Sequence, residues 1–181
     1  MPTSPLWLFG YGSLIWRIDF PFEERRTAAL GGWTRRFWQR STDHRGTVAA
    51  PGRVVTLIPD AAAVCWGVAY RLPLENLDRT LADLDYREKN GYQRQSVTLE
   101  TATGPLDGIA YVADEANPHF EQSSIEIMAP VIARAAGPSG ANREYVFELE
   151  AALAALSQPD PHVTEVAHAV RTEVGGSTDR A

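Results

Sequence analysis

The sequence predicts an α+β fold, in which most strands come early in the chain and most helices come late. The 181 residues include 14 glycines and 12 prolines, more turn-forming residues than a plain helix bundle uses. Residues 6–113 contain short β-branched and aromatic segments between turns, a pattern that is typical of strands. Apolar residues at helical spacing prevail from residue 123 onward. Because strands and helices do not alternate regularly, the order favours α+β over α/β.

Six segments are expected to form strands. The first, 6–9, is a short apolar run that stops at the glycine-rich turn Gly10-Tyr11-Gly12-Ser13. Segment 63–70 is β-branched and aromatic and follows turn residues. The remaining strands are predicted at 35–39, 53–58, 93–100 and 108–113.

The first predicted helix interrupts the strands, and the second follows them. Leucines at helical spacing between Leu74 and Leu84 predict a helix that ends near 86–88, with Asn90-Gly91 as its stop. The segment from Ser123 to Glu126 has the pattern of a capping box that opens the second helix. This helix is expected to close at Gly137-Pro138.

Two more helices complete the chain. Asn142 is expected to cap the third helix, and Asp160-Pro161 to start the fourth. The small and polar residues 175–181 predict a flexible tail. The length fits a single domain, here placed at 1–174.

Composition excludes several classes of protein. Seventeen Lys and Arg against 23 Asp and Glu give a net charge of −6, which argues against a chain-wide nucleic-acid-binding surface. No run of 18 apolar residues is present, so no membrane span is expected. The single cysteine, Cys65, excludes an intramolecular disulfide and is consistent with the cytoplasm. The four histidines lack metal-ligand spacing, and no P-loop occurs, so neither a metal nor another cofactor is expected.

The turn Gly10–Leu14 is a candidate ligand site. Glycines on both sides of Tyr11 allow backbone N–H groups to approach a carboxylate or an oxyanion without hindrance from a Cβ. The alternative is a tight turn after a strand with no further role. A dinucleotide fingerprint is excluded, because the third glycine is missing.

A second candidate is the charged segment from Asp85 to Tyr92, around the expected end of the first helix. A carboxylate is poorly placed at the negative end of a helix dipole, which favours a functional reason for Glu88. A general base in partly apolar surroundings is one such reason. The alternative is a solvated charge cluster. Elsewhere, Arg45 and Arg53 can supply a positive rim for an acidic ligand.

Taken together, the motifs are far more specific than any one of them. In order and spacing the chain resembles the ChaC-type γ-glutamylcyclotransferases from about Leu6 to about Leu156. The residues that carry the resemblance are Leu8-Phe9-Gly10-Tyr11-Gly12-Ser13-Leu14-Ile15-Trp16, Arg36-Phe37-Trp38-Gln39, Ser41-Thr42-Asp43-His44-Arg45-Gly46, Pro51-Gly52-Arg53-Val54-Val55-Thr56-Leu57, Trp66-Gly67-Val68-Ala69-Tyr70-Arg71-Leu72, Leu84-Asp85-Tyr86-Arg87-Glu88-Lys89 and Ala136-Gly137-Pro138-Ser139-Gly140.

The resemblance implies a γ-glutamylcyclotransferase-like fold, a small mixed β-barrel flanked by helices. It implies conversion of glutathione to 5-oxoproline and Cys-Gly, with Glu88 as the catalytic acid/base and no metal or nucleotide. It further implies that the turn holds the γ-glutamyl moiety, so the expected substrate-binding residues include Leu8, Phe9, Gly10, Tyr11, Gly12, Ser13 and Leu14. Tyr92, Tyr111 and Arg53 are added as candidates for contact with the ligand.

Two other functions stay open at this point. An enzyme of the same fold can act on other γ-glutamyl compounds, since Glu88 and the turn serve either substrate. A non-catalytic regulator, such as the regulators of cation transport that older family names invoke, can bind γ-glutamyl ligands without turnover. A binder of an anionic peptide gains nothing from the negative charge of Glu88, which argues against the second. Protein partners are not predicted.

Overall fold

The computed structural model of the chain describes residues 5–178. These residues form two compact units, each drawn from two stretches of sequence. The first unit comprises 5–34 and 57–118, and the second comprises 35–56 and 119–178. The single domain expected at 1–174 stays a prediction.

Five strands form a closed barrel in the order β1-β3-β2-β4-β5. Strand β1 runs parallel to β5 and antiparallel to β3, so the barrel is mixed, and the predicted α+β class is confirmed. The strands are β1 (Leu6–Gly10), β2 (Glu24–Ser41), β3 (Gly52–Leu72), β4 (Gln93–Thr101) and β5 (Gly104–Val112).

Strand β1 is held closely between its two neighbours. Leu8 lies opposite Tyr70 of β3 and Ile109 of β5. A Cβ on Gly108 would lie 2.7 Å from the backbone oxygen of Trp7, and one on Gly67 would lie 2.2 Å from that of Gly10. Only glycine fits such close approaches of two backbones, which explains both glycines.

Strands β2 and β3 are longer than expected. The two strands predicted at 53–58 and 63–70 are wrong as separate elements, because one strand runs through 59–62 without a break. Pro59 and its neighbours up to Ala62 are exposed, and an exposed stretch of strand tolerates proline where a buried one does not. Strand β2 begins at Glu24, well before the predicted 35–39.

The α-helices are α1 (Leu77–Arg87), α2 (Ile125–Arg134), α3 (Asn142–Ala155) and α4 (Pro161–Thr178). A 3₁₀ turn at Leu74–Asn76 precedes α1. Helix α2 ends earlier than predicted, because β6 (Ala136–Gly137) pairs with β7 (Gly140–Ala141) in a short hairpin. Among the described residues no helix is long and apolar enough to cross a membrane.

Two of the predicted helix caps are wrong, those of α2 and α3. Helix α2 begins after Ser124, whose side chain makes no capping hydrogen bond, so the predicted capping box is not formed. Asn142 is fully buried and does not cap α3. Its side chain accepts from the Arg53 backbone N–H at 2.6 Å and donates to the Arg53 carbonyl at 2.8 Å, which anchors α3 to β3.

Helix α4 begins as predicted and ends later. The Asp160 carboxylate accepts the backbone N–H of Val163 at 3.2 Å, as an N-cap does. The predicted tail at 175–181 starts too early, because α4 continues to Thr178. Extending a formed helix through Gly175 and Gly176 costs only about 1 kcal/mol per glycine. The rest of that tail, 179–181, lies outside the described residues.

The core of the second unit combines apolar side chains with a buried ion pair. Helix α4 turns Val163, Val166 and Val170 inward, all at most 1% exposed, as predicted. Arg35 of β2 is equally buried, and its guanidinium donates to Asp160 at 2.6 Å.

Candidate active site

The glycine-rich turn lies directly after β1. Residues Ser13–Ile15 form a 3₁₀ turn, in which the Ile15 N–H donates to the Gly12 carbonyl at 3.0 Å. The Tyr70 hydroxyl donates to the Leu14 carbonyl at 2.7 Å and fixes the turn to β3. A Cβ on Gly10 would lie 2.8 Å from the Leu14 Cβ, so the turn packs tightly on the end of the strand.

The turn residues differ in what they expose. Leu8, Phe9 and Leu14, predicted to bind substrate, are at most 8% exposed and fill the core of the first unit. Gly12 and Ser13 are half-buried. The φ of Gly12 is −126°, so the left-handed conformation does not explain this glycine.

Glu88 follows α1 and closes the helix. Its N–H donates to the Leu84 carbonyl at 2.9 Å, and its own carbonyl accepts the Tyr92 N–H at 3.3 Å. The chain then turns through Gly91 at φ +91°, the left-handed stop that the sequence predicts at Asn90-Gly91. The Glu88 side chain is 19% exposed, so its carboxylate is partly withdrawn from water.

Arg87 joins the turn to Glu88. Its Nη2 donates to the Ser13 hydroxyl at 3.2 Å, and its Nε lies 3.5 Å from a Glu88 carboxylate oxygen. Its Nη1 donates to Asp19, and the Arg87 side chain is 18% exposed. One guanidinium therefore links three segments of the first unit.

Tyr111, at the end of β5, is tied to the same region at both its hydroxyl and its backbone. Its hydroxyl donates to Asp85 at 2.7 Å, and its carbonyl accepts the Tyr11 hydroxyl at 2.6 Å. The second Asp85 oxygen accepts from Arg94 at 3.0 Å. Burial, the bond to Asp85 and the negative charges of Asp85 and Glu88 hold the pKa of Tyr111 well above its usual value. The phenol therefore stays neutral at any physiological pH.

The predicted site residues thus fall into two sets. The first unit brings together the turn, Glu88, Tyr92 and Tyr111. Arg53 belongs to the second unit, where its guanidinium pairs with Glu121 and donates to the carbonyl of Glu121 at 2.9 Å. Its predicted contact with substrate stays a prediction.

Sequence reasoning assigned no role to Arg87, Asp85, Arg94 or Asn117. Asn117 is 7% exposed and donates to the Asn90 carbonyl at 3.1 Å, which holds the segment after Glu88. Arg87 and Asp85 stand inside the charged segment that the sequence singles out, whereas nothing in the sequence distinguishes Arg94 or Asn117.

The part of the chain that the structure describes contains no group of three or more His, Cys, Asp or Glu side chains that could hold a metal ion. Cys65 is a free thiol, 1% exposed, in β3. The site is therefore built from a carboxylate, an arginine, tyrosines and a backbone turn. Such groups can bind an anionic ligand, hold an ammonium and move a proton.

Comparison with known proteins finds relatives over most of the chain. Residues 6–173 match the family model described as ChaC-like protein. A glutathione-specific gamma-glutamylcyclotransferase of Schizosaccharomyces pombe is 39% identical, with 96% of each chain covered. The human glutathione-specific gamma-glutamylcyclotransferase 1 is 39% identical over 92% of this chain and 79% of its own. A crystal structure of the glutathione-specific yeast enzyme superposes with a TM-score of 0.89 at 31% identity, covering 94% of this chain and 97% of that one.

Proposed function

Because the chain belongs to the ChaC-like protein family, we propose that it is a glutathione-specific γ-glutamylcyclotransferase that releases 5-oxoproline and Cys-Gly. Relatives that carry this activity in their names span most of the chain. The observation that carries the proposal is the half-buried Glu88 carboxylate, linked through Arg87 to the turn at Ser13.

The reaction needs a base because the α-amine of glutathione is protonated at neutral pH and cannot attack. We assign Glu88 to remove that proton. The α-nitrogen then attacks the γ-carbonyl carbon, and the bond from this carbon to the cysteine nitrogen breaks. Two protons of the α-ammonium pass to the departing nitrogen, which leaves as the ammonium of Cys-Gly, and the ring nitrogen keeps one. Arg87 supports this assignment, since its guanidinium lies 3.5 Å from the Glu88 carboxylate and also donates to Ser13, so it joins the proposed base to the turn.

The turn Gly10–Leu14 is assigned to the γ-glutamyl part of the substrate. Gly12 and Ser13 are only half-buried, and we assign their backbone N–H groups to the substrate. Backbone donors of this kind can anchor the substrate and stabilise the oxyanion that forms on the γ-carbonyl. Since nucleophile and carbonyl belong to one molecule, holding the substrate folded lowers the barrier substantially.

The proposed reaction uses neither metal nor nucleotide and takes place in the cytoplasm. Proton transfer and an intramolecular attack require no Lewis acid. The single cysteine fits a compartment in which thiols stay reduced. After dialysis against a chelator, 5-oxoproline formation should be unchanged, and a loss that one added metal restores would contradict this part of the proposal.

The direct test incubates the protein with glutathione and detects 5-oxoproline and Cys-Gly by mass spectrometry. The matched reactions contain γ-glutamyl amino acids and γ-glutamylamines at the same concentration. The proposal expects both products from glutathione and far slower turnover of the other compounds. Faster turnover of another γ-glutamyl compound would make the chain a cyclotransferase of different specificity, and absence of turnover would favour a binding protein.

A further inference from the structure

The hydrogen bond from Tyr111 to Asp85 determines what the tyrosine can offer a ligand. The hydroxyl donates its proton to one Asp85 oxygen at 2.7 Å, and the other Asp85 oxygen accepts a hydrogen bond from Arg94 at 3.0 Å. A phenol whose proton is engaged in this way presents only lone pairs to a third group. Tyr111 therefore meets a ligand as an acceptor.

This acceptor lies close to the proposed base. Asp85 and Glu88 are three residues apart at the end of α1, the spacing at which side chains of a helix lie on the same face. The charge of Glu88 acts on the Tyr111 hydroxyl, which brings the phenol and the proposed base into one electrostatic neighbourhood. The group of glutathione that needs acceptors there is the α-ammonium.

We propose that Asp85 is a positioning residue of the cyclotransferase reaction, which acts through Tyr111 by holding its hydroxyl proton so that the phenol oxygen accepts a hydrogen bond from the substrate ammonium. The inference rests on the proposed function. Tyr111 orients the nitrogen while Glu88 takes its proton, so the lone pair of the nitrogen emerges in a fixed direction. Arg94 sustains the arrangement by balancing the charge of Asp85.

The fold supports Tyr111 at its other end as well. Its carbonyl accepts the Tyr11 hydroxyl at 2.6 Å, and Tyr11 belongs to the glycine-rich turn. Tyr111 is 4% exposed, so neither its ring nor its backbone is free to rotate away. The outer end of the network is open instead, because the Asp85 side chain is 44% exposed.

Asp85→Asn tests the proposal while it keeps the shape of the side chain. The amide can donate to the phenol oxygen and occupy the lone pair that the ammonium needs. We expect kcat/KM for glutathione to fall by at least ~10-fold, the scale of one hydrogen bond to a charged group. Asp83→Asn is the matched control, since Asp83 lies on the same helix, is 78% exposed and pairs only loosely with Arg79 at 4.0 Å.

A double-mutant cycle separates positioning from a structural role. If Asp85 acts through Tyr111, Asp85→Asn changes kcat/KM less than ~2-fold in the Tyr111→Phe background, because the phenol oxygen is already absent. Equal effects in both backgrounds, or wild-type kinetics of Asp85→Asn, would overturn the proposal. Loss of activity in Glu88→Gln together with wild-type kinetics of Asp85→Asn would leave the proposed function intact and remove only this inference.

A measurement on the unaltered protein supplies a second check. With ¹³C-labelled tyrosine, the NMR titration of the Tyr111 ζ-carbon should show no ionisation up to the alkaline limit of the fold, in line with its raised pKa. In Asp85→Asn the pKa should move down toward its usual value of about 10. An ordinary Tyr111 pKa in the unaltered protein would mean that the hydrogen bond to Asp85 is not maintained, and would overturn the proposal.

Discussion

At the scale of single residues, Arg87 connects the glycine-rich turn to the proposed base. Its guanidinium bonds Asp19 and the Ser13 hydroxyl, and its Nε approaches Glu88 at 3.5 Å. Because the three partners belong to separate stretches of the first unit, loss of this cation would leave the turn and the proposed base without their common anchor.

Arg87→Met is therefore expected to reduce kcat/KM for glutathione by ~10-fold or more, since a hydrogen bond to a charged group contributes about 1.5–3 kcal/mol. Arg79→Met is the control, because this arginine lies on the same helix with an 85% exposed side chain and should change kcat/KM less than about two-fold. Steady-state kinetics of the two variants decide the matter. Wild-type kcat/KM in Arg87→Met would show that the bridge has no role.

The residue scale is also where sequence reasoning was least complete. Glu88 stands out because a carboxylate is out of place at a helix C-terminus. The partners of Tyr111 could not be found in the same way, since the bond from Tyr111 to Asp85 joins residues 26 positions apart. Nor does the sequence reveal that Asn142 clasps the backbone of Arg53, 89 positions away, instead of capping its own helix.

At the scale of elements, the end of α1 determines where Glu88 lies. The helix ends at Arg87, and the turn that follows contains Gly91 at φ +91°, where a Cβ would lie 2.1 Å from the Asn117 side-chain nitrogen. Gly104 has a similar φ of +110° but nothing within 4 Å of its would-be Cβ. A side chain at Gly104 would therefore meet backbone strain alone, whereas one at Gly91 would meet the same strain and a steric collision.

Gly104→Ala should lower the free energy of unfolding by about 1–2 kcal/mol, the cost of a left-handed residue with a Cβ. Gly91→Ala should cost more, because the same strain is joined by displacement of Asn117, and it should also slow glutathione turnover. Urea unfolding and the rate of 5-oxoproline release measure the two effects. Equal unfolding free energies in the two variants would argue against the contact with Asn117.

Elements were predicted well where one local signal dominates. The inward valines and the Asp160 cap predicted α4, and the apolar run before the turn predicted β1. The turn-forming residues at 59–62 predict a loop between two strands. The structure instead has one continuous strand, β3, which is part of the closed barrel. Tertiary pairing of this kind overrides local propensity and cannot be seen in a single window of sequence.

At the scale of the whole molecule, the class of fold followed from the order of elements, whereas the closed barrel followed only from the resemblance. Closure depends on β1 pairing with β3 and β5, strands that begin about 50 and 100 positions later. Periodicity within a segment carries no information about such partners. The family resemblance implied a small mixed β-barrel without naming the strand partners, and the observed strand order is consistent with it.

Stability at acid pH depends on a half-buried histidine in the second unit, His162. Burial, together with the charges of Arg36 and Arg35, lowers the pKa of His162 to about 4, against the opposing effect of Asp160. The Phe37 N–H lies 3.4 Å from His162 Nε2, an acceptor that exists only on the neutral ring. The unfolded chain takes up a proton near the usual pKa of about 6.5, whereas the folded chain does so only near 4.

The contribution of His162 to the free energy of unfolding should therefore be constant above about pH 7. It should fall by up to ~1.4 kcal/mol per pH unit as the pH drops from 6.5 toward 4. Urea unfolding at several pH values measures this slope. His162→Gln should flatten it in that window, whereas His168→Gln, at an exposed position of α4, should leave it unchanged. A slope that persists unaltered in His162→Gln would assign the acid sensitivity to other groups.

The central claim is that Glu88 moves the proton in the cyclisation of glutathione, and the rate of 5-oxoproline release by Glu88→Gln tests it most directly. Glutamine keeps the shape but cannot accept the ammonium proton, so the rate should fall by at least ~10²-fold while glutathione binding and the fold persist. Lys89→Gln is the neighbouring control. Lys89 is exposed and its Nζ lies 4.4 Å from the centre of the Tyr86 ring. The Lys89→Gln protein should therefore release 5-oxoproline at a rate near that of the unaltered protein. A Glu88→Gln protein that releases 5-oxoproline at the unaltered rate would contradict the account.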